Sequence, residues 1–347
     1  METDMTESVA PSFAVITGEQ VSRVLHGQEQ RVMGIVADTY RLHGAGRTVN
    51  PPSYFLRFAD RPADRIIALP ASLGGDSTVD GVKWISSFPG NVTTGLPRAS
   101  GVIVLNDPAN GYPFACLETS VISATRTAAS AVLAAGLLRR GPGTPRVGFV
   151  GTGLIARYVH TYLRTAGWDL NDVGVYDTAA AHAEGFSSYV ARSGGRARIH
   201  ADAGELVRAS DVVVFATVAA TPHVHDPSWF RHNPLVLHLS LRDLAPEIIL
   251  SSVNVVDDVD HCLRANTSPH LAEQQAGHRD FVHATLPDVL TGTAVLPDDR
   301  PVVFSPFGLG VLDLALAKHV HDELDAGGEL RTVPGFFDEL ERYGGRS

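Results

Sequence analysis

A chain of 347 residues is longer than one compact core usually organises, so its length points to about two domains. Hydrophobic residues make up 44% and charged residues 19%, which is enough apolar material for a sizeable core and excludes a disordered chain. The formal charge of −10 excludes the clustered basic surface that nucleic acids and anionic membranes need, so neither is expected as a partner.

The opening stretch, Met1 to Ser8, is acidic and reads as a frayed tail rather than a secretory signal. Thr17-Gly18-Glu19-Gln20 has the form of a capping box, with Val21, Val24, Leu25, Val32, Ile35 and Val36 following at helical spacing; one helix over about 18–43 is expected. Beyond Pro51 and Pro52, short β-type runs at 54–58, 65–69, 81–85 and 101–106 alternate with Gly, Pro, Asn and Asp turns, which predicts an antiparallel sheet. The pattern turns helical over 117–138. Its most apolar part, 128–138, is about half the length of a bilayer span and reads as a buried Ala-rich helix, so no membrane contact is expected.

After Gly141-Pro142-Gly143-Thr144-Pro145, uniformly apolar strands alternate with helices, as parallel strands covered on both faces do. The expected fold class is therefore α/β: a Rossmann doubly wound parallel sheet plus a discontinuous α+β domain. The tail from Val302 contains one more strand and a long helix and is expected to return to the first domain. Its boundaries fall at 1–127 and 303–347, with the nucleotide domain over 128–302. Cys116 and Cys262 stand far apart in sequence, which predicts reduced thiols and a cytoplasmic location.

The strand 146–150 runs into Gly151-Thr152-Gly153-Leu154-Ile155-Ala156, the Gly-x-Gly-x-x-Gly/Ala turn of dinucleotide-binding domains. Gly151 permits the turn, Gly153 lets backbone approach a pyrophosphate, and Leu154 and Ile155 open a helix whose N–H groups face the phosphates. Asp177 ends the next strand, where an acid accepts ribose hydroxyls and repels a 2′-phosphate, so NAD is expected rather than NADP. Thr217, at the end of the strand 212–217, completes the cofactor set.

Among the basic residues of the first domain, Lys83 sits between apolar neighbours in Val82-Lys83-Trp84-Ile85, and Arg126 sits in a helix otherwise built of small residues. Both are candidates for binding a carboxylate; Arg57 and Arg98 are weaker ones, for which a solvated strand face is the plain alternative. In His238-Leu239-Ser240-Leu241-Arg242-Asp243, Asp243 leaves a parallel strand at its C-terminal end, placed for acid–base work or, equally, for capping the helix that begins near Pro246. His223-Val224-His225-Asp226 lacks the ligand spacing of a zinc site and reads as a loop; no metal is expected.

The stretches Val82 to Ile85, Arg98 to Asp107, Ser123 to Ala129, the Gly151 turn and Ser240 to Glu247 resemble the ornithine cyclodeaminase/mu-crystallin family over roughly residues 15–325. Within it, Arg65 to Pro70, Lys83-Trp84-Ile85 and Arg98 to Asp107 resemble the branch that forms L-2,3-diaminopropionate for siderophores and peptide antibiotics. The resemblance implies a homodimer built through the first domain and an acidic amino acid substrate. It assigns the substrate carboxylate to Lys83 and Arg126, and the catalytic positions to Asp243, as the family's catalytic aspartate, and to Lys83. The implied reaction is NAD-dependent oxidative cleavage of N-(2-amino-2-carboxyethyl)-L-glutamate. Where cyclodeaminases place a further arginine this chain has Ser53, with Arg57 as the expected substitute on the same strand. Ornithine cyclodeamination and a non-catalytic crystallin-like binder are the alternatives.

Overall fold

The computed structural model describes residues 11–338, so the acidic Met1 to Ser8 stretch lies outside the described residues. The first sheet contains β1 (Ala14–Ile16), β2 (Thr48–Val49), β3 (Tyr54–Arg57), β4 (Arg65–Leu73), β5 (Val79–Ser87), β6 (Ala99–Asn106) and β7 (Pro113–Glu118). Their order is β1-β7-β6-β5-β4-β2, with β3 also paired to β4; every pair is antiparallel except β1 with β7. Because side chains alternate across a strand, Leu69, Ala71, Val79, Lys83, Ser87, Ile103 and Leu105 all fall on one face, and all are buried. The opposite face leaves Tyr54, Leu56, Trp84 and Val102 exposed.

The capping box at Thr17 and Gln20 is present, but two helices follow it instead of one: Gly18–Leu25 and Glu29–Gly44. Gly27, at φ +75, breaks the run, a backbone conformation the apolar periodicity does not reveal. Leu117 belongs to β7, so the next helix starts later than expected, at Ser120–Leu138.

The second sheet contains β8 (Val147–Val150), β9 (Asp172–Tyr176), β10 (Arg196–Ile199), β11 (Val212–Phe215), β12 (Leu235–His238), β13 (Val253–Val256), β14 (Val282–Thr285) and β15 (Val302–Ser305). All pairs are parallel, in the order β10-β9-β8-β11-β12-β15-β13-β14. From β8 the chain winds outward to β10 and then returns to β11 on the other side. The switch point between β8 and β11 opens the crevice where such sheets bind ligands.

The tail divides between the sheets. β15 inserts between β12 and β13, while the helix Gly310–Ala326 packs on β4, β5 and β6. Ser120–Leu138 touches both layers, lying against β6 and Gly310–Ala326 on one side and β12 and β15 on the other. Among the described residues it alone is long and apolar enough to cross a bilayer, yet 67% of that segment is buried inside the fold.

Candidate active site

The turn after β8 has the geometry a pyrophosphate needs. Gly151 sits at φ +84, and a Cβ there would lie 2.8 Å from the Ala216 carbonyl, so only glycine lets β8 and β11 part this closely. Space beside Gly153 is open, and the helix Leu154–Thr165 begins there without a side-chain cap, leaving its first N–H groups free. Ala156 is wholly buried and seats this helix on the sheet. Asp177 ends β9 and is already engaged: its Oδ2 accepts from the backbone N–H and hydroxyl of Thr152 (2.9 and 2.8 Å), its Oδ1 from Ala179 N–H (3.0 Å). One Oδ1 lone pair is left for a ribose hydroxyl. These residues fit a dinucleotide.

Lys83 and Arg126 meet in the interior. Lys83 Nζ donates to Asp313 Oδ2 at 2.5 Å and Arg126 Nε to Asp313 Oδ1 at 3.3 Å, with Asp313 fully buried in the helix Gly310–Ala326. Burial, reinforced by Arg126 and only partly offset by Asp313, pushes the Lys83 ammonium down to about 8. Two cations on one carboxylate leave an excess of one positive charge, which suits a ligand carboxylate. The Arg126 guanidinium lies flat against Gly308, where a Cβ would come within 2.3 Å of Nη1, and Gly308 N–H donates to buried Asp257 at 2.6 Å.

A second cluster of cations occupies one end of the same sheet face. Arg57 is the register partner of Arg65, Arg65 of Ser87, and Ser87 of Ala99. Arg98, next to Ala99, donates from Nη1 to Ser87 Oγ at 2.7 Å. Ser87 lies four residues beyond Lys83, about 13 Å along β5 and on the same face. Across the crevice Arg242 faces them, its guanidinium donating to Ala265 O at 2.8 Å. Burial pushes Arg65 down to about 10, aided by repulsion from Arg242, Arg98 and Arg57; Arg98 is lowered by burial, and Arg242 by burial and then by Arg57. None of these arginines has an ion pair with an acid among the described residues. Ser53 precedes β3 instead of lying in it, so Arg57 is not its neighbour on a strand face, as expected from sequence; Arg57 belongs to the arginine row instead.

Asp243 is buried in the loop that follows β12. It is not a helix cap, since Ala245 takes that position ahead of Pro246–Leu250. Leu241, at φ +68, bends the loop after β12, a strained conformation for a branched residue that Ser268 N–H secures by donating to its carbonyl at 2.7 Å. The Asp243 side chain is 0% exposed and accepts from the hydroxyls of Thr217 and Ser240, with His223 Nε2 at 3.1 Å from Oδ1 and His238 Nε2 at 3.2 Å from Oδ2. Burial pushes this carboxyl up, but the hydrogen bonds from His223, His238 and Ser240 prevail and hold it well below the usual carboxylate range. Thr217, expected at the cofactor, thus also donates to Asp243. Among the described residues no group of three His, Cys, Asp or Glu could hold a metal ion.

Residues 15–328 match the family described as ornithine cyclodeaminase/mu-crystallin. The chain belongs to that family. N-((2S)-2-amino-2-carboxyethyl)-L-glutamate dehydrogenase of Staphylococcus aureus is 32% identical over 75% of this chain and 79% of its own length. The crystal structure of CmnK superposes with a TM-score of 0.84 at 31% identity, covering 95% of this chain and 100% of that one. An archaeal alanine dehydrogenase dimer with bound NAD gives 0.81 at 26% identity, covering 94% and 100%.

Of the residues gathered here, Asp313, Arg65 and Arg242 are not singled out by sequence, and His223 is weighed there only as a metal ligand. Arg65 carries a usable signal, since it opens a strand that pairs with the one bearing Lys83. Asp313 has none. A lone acid in a helical pattern reads as a solvated face.

Proposed function

We propose that the chain is an NAD-dependent oxidoreductase that cleaves N-(2-amino-2-carboxyethyl)-L-glutamate oxidatively to L-2,3-diaminopropionate and 2-oxoglutarate, in siderophore or peptide antibiotic biosynthesis. The observation that carries this reading is the row of Arg57, Arg65, Arg98 and Arg242, which has no acid partner among the described residues in a protein of net charge −10. A substrate with three carboxylates supplies the missing counter-ions. Alanine would leave the row uncompensated, and the side-chain ammonium of ornithine would be repelled by it. The 32% identity to a dehydrogenase named for this triacid points the same way.

In this reading Lys83 and Arg126 hold the glutamate α-carboxylate, and the arginine row takes the others, so the reacting carbon is fixed by charge at both ends. NAD on the Gly151 turn supplies the hydride acceptor. The test is to give the purified protein the triacid and NAD and follow NADH absorbance. Stoichiometric NADH and 2-oxoglutarate are expected. Proline from ornithine without net NADH would replace this reading with cyclodeamination.

The exposed apolar face of the first sheet supports a homodimer built through it. Trp84 pairs with Val102 on one side and with Ala68 on the other, and Ala68 in turn with Tyr54, which makes a continuous row across four strands. Trp84→Asp would give a monomer in sedimentation. Free Cys116 and Cys262 accord with a cytoplasmic location.

A further inference from the structure

Asp243 is ionised but enclosed. It has no exposed surface, and its oxygens are occupied by Thr217, Ser240 and His223, while His238 Nε2 lies 3.2 Å from Oδ2 and accepts from the Asp243 backbone N–H. A carboxylate held this far below its usual range is a weak proton acceptor, and one without access to the crevice cannot touch a substrate. His223 differs on both counts. Its Nε2 lies 3.1 Å from Asp243 Oδ1, its backbone N–H donates to the Asp243 carbonyl at 3.0 Å, and 43% of its side chain is exposed. Nδ1 has no hydrogen-bond partner among the described residues and is available to a water or a substrate.

The location suits a proton carrier. Thr217, which donates to Asp243, follows Ala216, whose backbone lies against Gly151 of the nucleotide turn. On the other side, His238 Nδ1 lies 3.2 Å from Ser305 Oγ, and the segment after Ser305 brings Gly308 against Arg126. The pair is therefore tied to the cofactor turn on one side and to the carboxylate-binding cations on the other.

We infer that His223 is the general base and acid of the reaction, and that Asp243 is a positioning residue that fixes its tautomer and supports its positive charge. The inference rests on the reading that an N-substituted glutamate is oxidised at its α-carbon and then hydrolysed. Loss of hydride from the neutral amine leaves an iminium ion. Water adds to its carbon while His223 takes one water proton, which gives a neutral carbinolamine. The imidazolium returns that proton to nitrogen. The C–N bond then breaks, its electron pair stays with the amine, and the hydroxyl proton passes to His223 and on to solvent. The balance is one water consumed and one proton released for each hydride transferred.

Two measurements test it. The tautomer of the His223 ring can be read by nitrogen NMR without any substrate, its resonances assigned by their loss in His223→Asn. The titratable and charged groups facing Asp243 are His223, His238 and Arg242, and His225 and Asp226 flank His223 on its own loop. Wild type should carry the ring proton on Nε2, facing Asp243 Oδ1, and Asp243→Ala should lose that preference; a ring whose tautomer is the same in both proteins overturns the pairing. In turnover, His223→Asn should keep NADH binding and KM while kcat falls about 10²- to 10⁴-fold, and imidazole should partly rescue His223→Ala. A His223→Asn protein that binds NADH and retains wild-type kcat overturns the assignment. If wild-type protein fails on the triacid, the substrate reading falls, while the NMR tautomer measurement still judges the pair.

Discussion

Two groups of cations share one face of the first sheet but are balanced in different ways. Lys83 and Arg126 meet Asp313, a carboxylate supplied by the chain itself and wholly buried with them. Arg57, Arg65 and Arg98 lie about 13 Å further along, with Arg242 facing them across the crevice, more accessible and with no acid of their own among the described residues. The contrast separates two uses of positive charge. An internal counter-ion holds cations in one place before any ligand arrives, whereas cations left without one destabilise each other until a ligand brings the charge.

The largest difference should appear on removing Asp313. Asp313→Ala leaves two buried cations without a partner and is expected to cost about 3–5 kcal/mol, read by chemical denaturation. Arg65→Ala removes a repelling charge and should leave stability unchanged or slightly raised; a comparable loss in both variants would erase the distinction. In turnover the order changes: Arg65→Ala should raise KM for the triacid roughly 10- to 100-fold with little change in kcat, the effect of one lost charge-assisted contact.

A smaller effect should come from pH. Lys83 is pushed down from 10.5 to about 8, so between these values the unfolded chain holds a proton that the folded chain has released. Folding stability should therefore rise with pH across that window, while kcat/KM falls by up to tenfold per unit above about pH 8 as the ammonium proposed to grip the substrate carboxylate is lost. Lys83→Met should flatten both trends. Parallel rather than opposed trends in wild type would show that another group controls the site.

The sequence carried the nucleotide half of the molecule almost completely, because glycine spacing, uniform apolar strands and a terminal acid are all local patterns. Lys83 and Arg126 were legible as cations in apolar or small-residue surroundings. Asp313 was not, since it lies 230 residues from Lys83 and 187 from Arg126, and only packing brings them together. The arginine row was half legible: Arg57 and Arg98 were visible as strand-associated charges, but Arg65 joins them only through antiparallel register, and Arg242 only across the crevice. In sequence His223 is one residue of a loop, for an exposed histidine acquires meaning only when a buried acid is placed beneath it. The break at Gly27 is hidden in the sequence because apolar spacing continues on both sides of it.

The left-handed backbone at Leu241 sets a rule for altering this enzyme. Arg242 and Asp243 are consecutive, but one reaches towards the arginine row and the other turns inward to Ser240 and His223, so a single peptide link joins the unpaired cations to the buried carboxylate. Side chains in this loop can be exchanged one at a time. Its length cannot: adding or deleting one residue between His238 and Asp243 would rotate both out of alignment at once, and a library built to retune substrate choice should vary composition there while leaving the count untouched.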